Sequence, residues 1–563
     1  MGRKVLLIAL FALAWPCAAG ARPVVLMPGV TYERAVQWTG AGPVTTYVVN
    51  APRPVGLYSL TPLLSNDAIT GRETVSSMQR RVAGQMTTVG VNGDFFDWSG
   101  GWPSGLLMRG GVLEHHPATN RSAVGVDAAG TLRVDRSVFV ATWQGVSSIA
   151  HPLSRVNEPP KANGAALFTP VWGASTPVVD GYAVVLEPFP AALPFRDLTA
   201  PVAAVVERGA VRIPRDGAVL VARGTAAAAL REDAAVDGEL TVKLALSREW
   251  SSVTDAVGGG PALVHGGKIV THSAESLTGT QLFGREPRTA IGQRADGGVV
   301  LVAADGRRPG WSVGITNGEL ALTLIRYGCT EGFALDSGGS TTVAFAGAVL
   351  NRPSDTYGER PVAEALVVGY TGVFAPAPAT TLSPNGDGYG DRETLSYKVV
   401  RPATVSAKLV MPDGSERELD AGTKPPGTYR LTWDGTDPTG APMAEGRYRW
   451  RVEATDDLGR GSTAERTFTL DNTLGFVRVG KSARAAQLQL SREASIRVRV
   501  QDRRGVTLRT IGAGRRPPGP VTLRWNGRDG RGRRAPSGAY VLDARASSVL
   551  GLSAVRVPFR ITG

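Results

Sequence analysis

Gly332-Phe333-Ala334-Leu335-Asp336-Ser337-Gly338-Gly339-Ser340-Thr341-Thr342-Val343-Ala344-Phe345 runs an apolar strand into one carboxylate, then into two adjacent glycines and three hydroxyls. Glycines admit positive φ and let a ligand approach bare N–H groups. Consecutive N–H groups in such a turn form an anion-binding concavity, and Asp336 at the strand end would face its contents. A hairpin turn with an Asx-type hydrogen bond uses the same residue types. The stretch alone leaves both readings open.

Working outward, similar clusters punctuate residues 22–374. Thr87 to Val91 reads as a strand that delivers Asn92-Gly93-Asp94-Phe95-Phe96-Asp97-Trp98. This is a turn sequence, but Phe95, Phe96, Trp98 and Trp102 make it unusually aromatic. Aromatics beside carboxylates suit a sugar site, and at least one of the paired phenylalanines should plug the core. Val257-Gly258-Gly259-Gly260-Pro261 marks a tight bend or close ligand approach, without the Lys-Ser/Thr of a nucleotide loop. Arg288-Thr289-Ala290-Ile291-Gly292 opens a strand with a residue suited to gripping phosphate. Thr316 and Glu319 form a capping box ahead of a helix with Leu320, Leu324 and Tyr327 on one face. Beyond the opening stretch come Asn351-Arg352-Pro353-Ser354-Asp355, then Glu359-Arg360-Pro361 and a strand over Ala365 to Tyr370.

A chain of 563 residues is too long for one core. Its 70 glycines and 38 prolines imply many turns and much β structure. Arg3 and Lys4, the apolar run Val5 to Trp15 and Ala19-Gly20-Ala21 form the pattern of a secretory signal peptide over residues 1–21. That run is too short to span a bilayer, no other is longer, and the expectation is a secreted protein with no transmembrane span. Cys17 would leave with the signal, so Cys329 is expected as a lone, buried, inert thiol. The five histidines show no ligand spacing, and neither a metal nor another cofactor is expected.

Taken together, NGDFF, GGGPALV, RTAIG, LDSGGSTT and NRPSD…ERPVAEALVV occur in the order and rough spacing of the phosphodiester glycosidase family, which includes the uncovering enzyme and many exported bacterial proteins. The resemblance spans essentially residues 24–373. It implies an α+β, β-rich catalytic domain that hydrolyses the bond between a sugar anomeric carbon and a phosphodiester oxygen. Phosphate is a good leaving group, so such a site needs an anion cradle and a carboxylate base or nucleophile more than a strong acid. Asp336 and Asp94, with Glu359 third, are the implied catalytic carboxylates. Arg288 and the backbone of Gly259, Gly260, Gly338, Gly339 and Ser340 would cradle the anion, with Thr341 alongside. Asn92 and Asn351 would bind sugar hydroxyls, and Trp98 would stack on the ring. The common family form is LDGGGS, so Ser337 replaces a glycine, a departure that favours holding over cutting. A non-catalytic surface polysaccharide-binding protein, or an exopolysaccharide assembly factor, is the alternative.

Residues 375–381 read as a Pro-rich linker. Past it, Pro425-Pro426-Gly427, Trp433, Gly440, Gly446 and Tyr448 recur 92 residues later as Pro517-Pro518-Gly519, Trp525, Gly532, Gly538 and Tyr540. Two tandem β-sandwiches follow, 382–474 and 475–563, and their shared pattern resembles the Ig-like domain of flagellar hook-capping proteins. The second holds 19 Lys/Arg against 4 Asp/Glu, where the whole chain is only +13. It is a candidate grip for an acidic polymer or simply an Arg-rich solvated face; nothing points to nucleic acid. Asn385, Asp387 and Asp391 lack the spacing of a Ca²⁺ loop and read as a turn.

Overall fold

A computed structural model describes residues 23–178, 180–270, 275–377, 381–384, 390–480, 484–503 and 505–561. The expected signal sequence and Asn385 to Tyr389 of the acidic turn lie outside the described residues. The chain divides at Tyr370/Thr371 into two compact units, both mostly β. Among the described residues no helix is long and apolar enough to cross a membrane.

In the first unit, four sheets are joined by short helices α1 (Val75–Arg81), α2 (Thr225–Asp233), α3 (Gly279–Phe283) and α4 (Asn317–Arg326). An eight-stranded antiparallel sheet runs, from edge to edge, Val24–Met27, Val30–Thr39, Gly42–Ala51, Val299–Ala304, Arg288–Arg294, Cys329–Ala334, Ala262–His265 and Lys268–Ile269. Helix α4 packs on it through Leu320, Ala321 and Leu324, and the expected capping box closes: Glu319 N–H donates to Thr316 Oγ1 and Thr316 N–H to Glu319 Oε2. A five-stranded sheet, Ala348–Val349, Val343–Phe345, Thr87–Asn92, Glu364–Tyr370 and Tyr58–Leu64, packs against α1. A second five-stranded sheet contains Leu107–Arg109, Val253–Gly258 and Ser122–Asp127, and a second eight-stranded sheet fills most of residues 140–245. Those two share one core, centred on Trp143 and Trp250.

The opening stretch is therefore not a hairpin. Cys329–Ala334 and Val343–Phe345 lie in different sheets, so Asp336 sits on a crossover between them. Crossovers at strand ends are where α/β and β folds place chemistry, since the backbone there is free of ladder partners. Cys329 is buried, and burial pushes its thiol up to about 12, an inert state.

The second unit contains two sandwich cores. Trp433 is buried with Tyr448 and Trp450, and Trp525 with Tyr540. The repeat extends to single hydrogen bonds: Trp433 Nε1 donates to Thr436 O and Trp525 Nε1 to Arg528 O, at 2.7 and 2.8 Å. Tyr448 and Tyr540 hydroxyls donate to Ala444 O and Pro536 O at 2.6 and 2.7 Å. Ala375 and Val373 pack into the first of these cores, so this part of the Pro-rich segment is interior. Several arginines of the basic module are engaged within it: Arg499 and Arg545 on Asp543, Arg533 on Asp529.

Candidate active site

Three carboxylates converge where strands end. Thr87–Asn92 leads into Asp94, Cys329–Ala334 into Asp336, and Glu364 opens the strand Glu364–Tyr370. Backbone bonds hold the three loops together: Asp336 N–H donates to Gly93 O at 2.9 Å, and Gly93 N–H to Glu364 O at 2.9 Å. Asp94 N–H donates to Glu364 Oε1 at 2.6 Å. The sequence pattern marks Asp94 and Asp336 but not Glu364. Its signal was there: one carboxylate in the otherwise apolar run Val362 to Val368, which pairs on both sides in its sheet. A charge on such a strand is costly unless it has a partner or a role.

Like charges in a dry site cannot all ionise together. Burial, reinforced by Asp94, pushes the Glu364 carboxyl well above its ordinary value. Burial also raises Asp94, against the pull of Arg121, whose Nη2 donates to Oδ1 at 2.7 Å beside the Phe95 N–H, also at 2.7 Å. Asp336 is pushed up to about 7 by burial, opposed by hydrogen bonds from Ser340 and Ser337 N–H and by the charge of Arg360. Glu364 thus holds its proton more tightly than an ordinary carboxyl, while Asp336 is poised to exchange its proton near neutral pH. Asp94 Oδ2 and Glu364 Oε2 are buried without hydrogen-bond partners among the described residues.

Glycine forms the wall. A Cβ on Gly258 would lie 2.2 Å from Asp94 Oδ2, and one on Gly105 would lie 2.8 Å from it. Gly338 takes φ +69, but Ser337 takes φ −122, extended backbone open to any residue. The backbone at Ser337 therefore does not require a glycine, and its N–H donates to Asp336 Oδ1 at 2.7 Å.

Several expected ligands instead brace the site. Asn92 is fully buried; its Nδ2 donates to Asp336 O, and its Oδ1 accepts from Thr289 Oγ1 and Thr342 N–H. Asn351 likewise donates to Thr341 O and Asp305 and accepts from Val343 N–H. Arg288 is not an anion cradle: its guanidinium donates to Ile315 O, Gln281 O, Thr280 O and Gly284 O, closing the carbonyl end of α3. The N–H groups of Gly260 and Gly338 are engaged by Ala334 O and Pro287 O. On Gly259 a Cβ would strike Ala334 O and the Phe333 ring, so that glycine serves packing. Ser340 accepts from Arg360 Nη1 at 3.3 Å, while the Thr341 hydroxyl is buried without a partner among the described residues. Glu359 is not brought to the carboxylates. It accepts from Ser76 N–H and Oγ at 2.9 and 2.5 Å and caps the start of α1. Glu359→Gln is accordingly expected to cost about 1 kcal/mol in denaturant unfolding of the first unit and to leave turnover intact.

What the sequence left unassigned is Arg360. Its guanidinium grips Asp355 bidentately at 2.7 and 2.9 Å, reaches Ser340, and lies 5.1 Å over the ring of Trp98. Trp98 is 62% exposed, and Phe96 below it is buried, as the paired aromatics required. Trp98, Arg72, Gly100, Asp355 and Arg360 line a cleft of about 550 Å³. Arg360 also donates to Ser340, the residue whose side chain hydrogen-bonds Asp336.

Residues 199–369 match the phosphodiester glycosidase family model, which takes in Gly258, Asp336, Arg360 and Glu364. Residues 390–457 and 476–549 each match the FlgD Ig-like domain. The chain thus carries a phosphodiester glycosidase-type domain followed by two Ig-like modules. YomE, an SPbeta prophage-derived uncharacterized protein of Bacillus subtilis (strain 168), is 39% identical over 98 residues, 17% of this chain and 15% of that protein. A hypothetical protein from Synechocystis shares the fold, with a TM-score of 0.51, 24% identity, and coverage of 61% of this chain and 62% of that one. The catalytic domain of zebrafish N-acetylglucosamine-1-phosphodiester alpha-N-acetylglucosaminidase aligns at 14% identity and a TM-score of 0.33, covering 63% of this chain and 86% of that one.

Proposed function

We propose that the first unit hydrolyses the bond between a sugar anomeric carbon and a phosphodiester oxygen in a glycan or cell-envelope polymer, after export directed by residues 1–21. One observation carries this reading: a carboxyl poised near pH 7, Asp336, linked through Ser340 to an arginine that lines an aromatic cleft. The phosphodiester takes the place of the Asp355 carboxylate on the fork of Arg360, since both are planar-gripped anions. Trp98 then lies against the sugar. Ionised Asp336 activates water: its oxygen bonds to the anomeric carbon, the carbon–oxygen bond to phosphorus breaks, and the proton passes to Asp336. The departing group leaves as a phosphomonoester anion already matched by Arg360. Asp94, held by Arg121 and fully enclosed, fixes the loop that hydrogen-bonds Asp336 and sets the field around it.

The full chain is to be incubated with a panel of sugar-1-phosphodiesters and the free sugar measured by mass spectrometry, with Asp336→Asn as control. Release by the parent alone supports hydrolysis; saturable binding without release favours the polysaccharide-binding alternative, which the same cleft would serve. Arg360→Ala is expected to raise KM about 10–100-fold, the worth of a charge-assisted bidentate contact, with a smaller change in kcat.

A further inference from the structure

His115, His116 and Glu158 meet beside Gly105, the residue that also walls Asp94. Among the described residues they are the one group of three His, Cys, Asp or Glu side chains whose ligand atoms lie within 4.8 Å of one another. His115 Nδ1 faces two carbonyls, Gly105 O at 2.7 Å and His116 O at 3.0 Å, so it must carry the ring proton. That fixes the tautomer and leaves Nε2 a bare lone pair. This Nε2 is buried without a hydrogen-bond partner and points at Glu158 Oε2, 3.7 Å away, itself an acceptor. His116 Nε2 lies 3.2 Å from the same oxygen, its ring stacked 4.5 Å from that of His115.

Two acceptors facing each other across a buried ring nitrogen repel unless a cation lies between them. Donors around a tetrahedral ion with bonds of about 2.0 Å stand about 3.3 Å apart. The two histidine–Glu158 separations bracket that value. Arg155 pairs with the other Glu158 oxygen, Oε1, and so orients Oε2 toward the rings.

We propose that His115 Nε2, His116 Nε2 and Glu158 Oε2 bind one divalent transition ion of the zinc class. His116 and Glu158 keep partial exposure, which leaves solvent the remaining coordination position. The ion ties the segment Val112–His115 to Arg155–Val156 and the residues after it, and through the His115 Nδ1–Gly105 O bond it holds the backbone that walls Asp94. The sequence hid this site, because the paired histidines show no ligand spacing and Glu158 joins them only through the fold.

The test uses the untagged full chain, stripped with chelator and titrated with Zn²⁺ by calorimetry, with Co²⁺ absorption in the visible as a second readout. One ion per chain, a rise in melting temperature on adding Zn²⁺, and the intense absorption of tetrahedral Co²⁺ are expected. His116→Ala/Glu158→Gln should weaken binding about 100-fold or more, with circular dichroism confirming that the variant folds. The Co²⁺ spectrum of the parent protein decides the matter even if it does not. No saturable binding by the parent, or equal binding by a folded double variant, overturns the proposal.

Discussion

Asp336→Asn is expected to lower turnover of a glycosyl phosphodiester by about 10²–10⁴-fold, the range that a positioned acid–base group contributes, and at the same time to stabilise the first unit above pH 7. Both follow from one ionisation. The Asp336 carboxyl titrates at about 7 when folded, against an ordinary 3.8. Between those values the folded state keeps a proton that the unfolded chain has lost. Stability therefore falls as pH rises from about 4 to about 7 and stays low above, by on the order of 4 kcal/mol. Turnover runs the other way, because the base must be ionised: it should climb with an acid limb near pH 7. Asn removes the charge and keeps an acceptor for the Ser337 N–H. Urea unfolding at pH 5 and pH 8, beside a pH–rate profile, checks both halves. An Asn variant no more stable than the parent at pH 8, or a turnover that falls across pH 7, would sink the assignment.

Such a trade of stability for function explains which features could be read from residues alone. Asp336 and Asp94 were legible because each follows an apolar strand and sits in a glycine-containing turn, a local pattern. So were the Thr316–Glu319 cap and the Trp433/Trp525 repeat, whose bonds span three or four residues. Arg288, Asn92 and Asn351 were legible as polar residues in the right neighbourhood, but not as braces. Whether a guanidinium meets a phosphate or the carbonyls of α3 depends on segments that approach only in the fold. Arg360 shows the converse. Its neighbours in sequence are Glu359 and Pro361, while its partners include Ser340 and Trp98, distant along the chain. In the proposed mechanism the anion-binding function expected of Arg288 passes to Arg360 for that reason.

Gly258→Ala tests the wall rather than the acid. A methyl group there would lie 2.2 Å from Asp94 Oδ2, 2.8 Å from its Cγ and 3.1 Å from Gly105 Cα. Asp94 cannot give way, since Oδ1 is held by Arg121 and the Phe95 N–H and its own N–H by Glu364. Gly105 is tied through its carbonyl to His115. The clash must then be relieved by moving the Asp94 loop, whose Gly93 carbonyl receives the Asp336 N–H. Overpacking of this kind costs about 1–3 kcal/mol, and a 1 Å displacement near the chemistry costs about 10²-fold in rate. A loss of about 100-fold in kcat is expected, with KM little changed because the cleft of Trp98 and Arg360 lies elsewhere. Gly318→Ala is the control: it sits on α4 with open space around its Cβ, and there alanine should stabilise by about 0.5–1 kcal/mol. If Gly258→Ala retained parental kcat while unfolding at the same urea concentration, Asp94 would not be confined as described, and its part in positioning Asp336 would have to be abandoned.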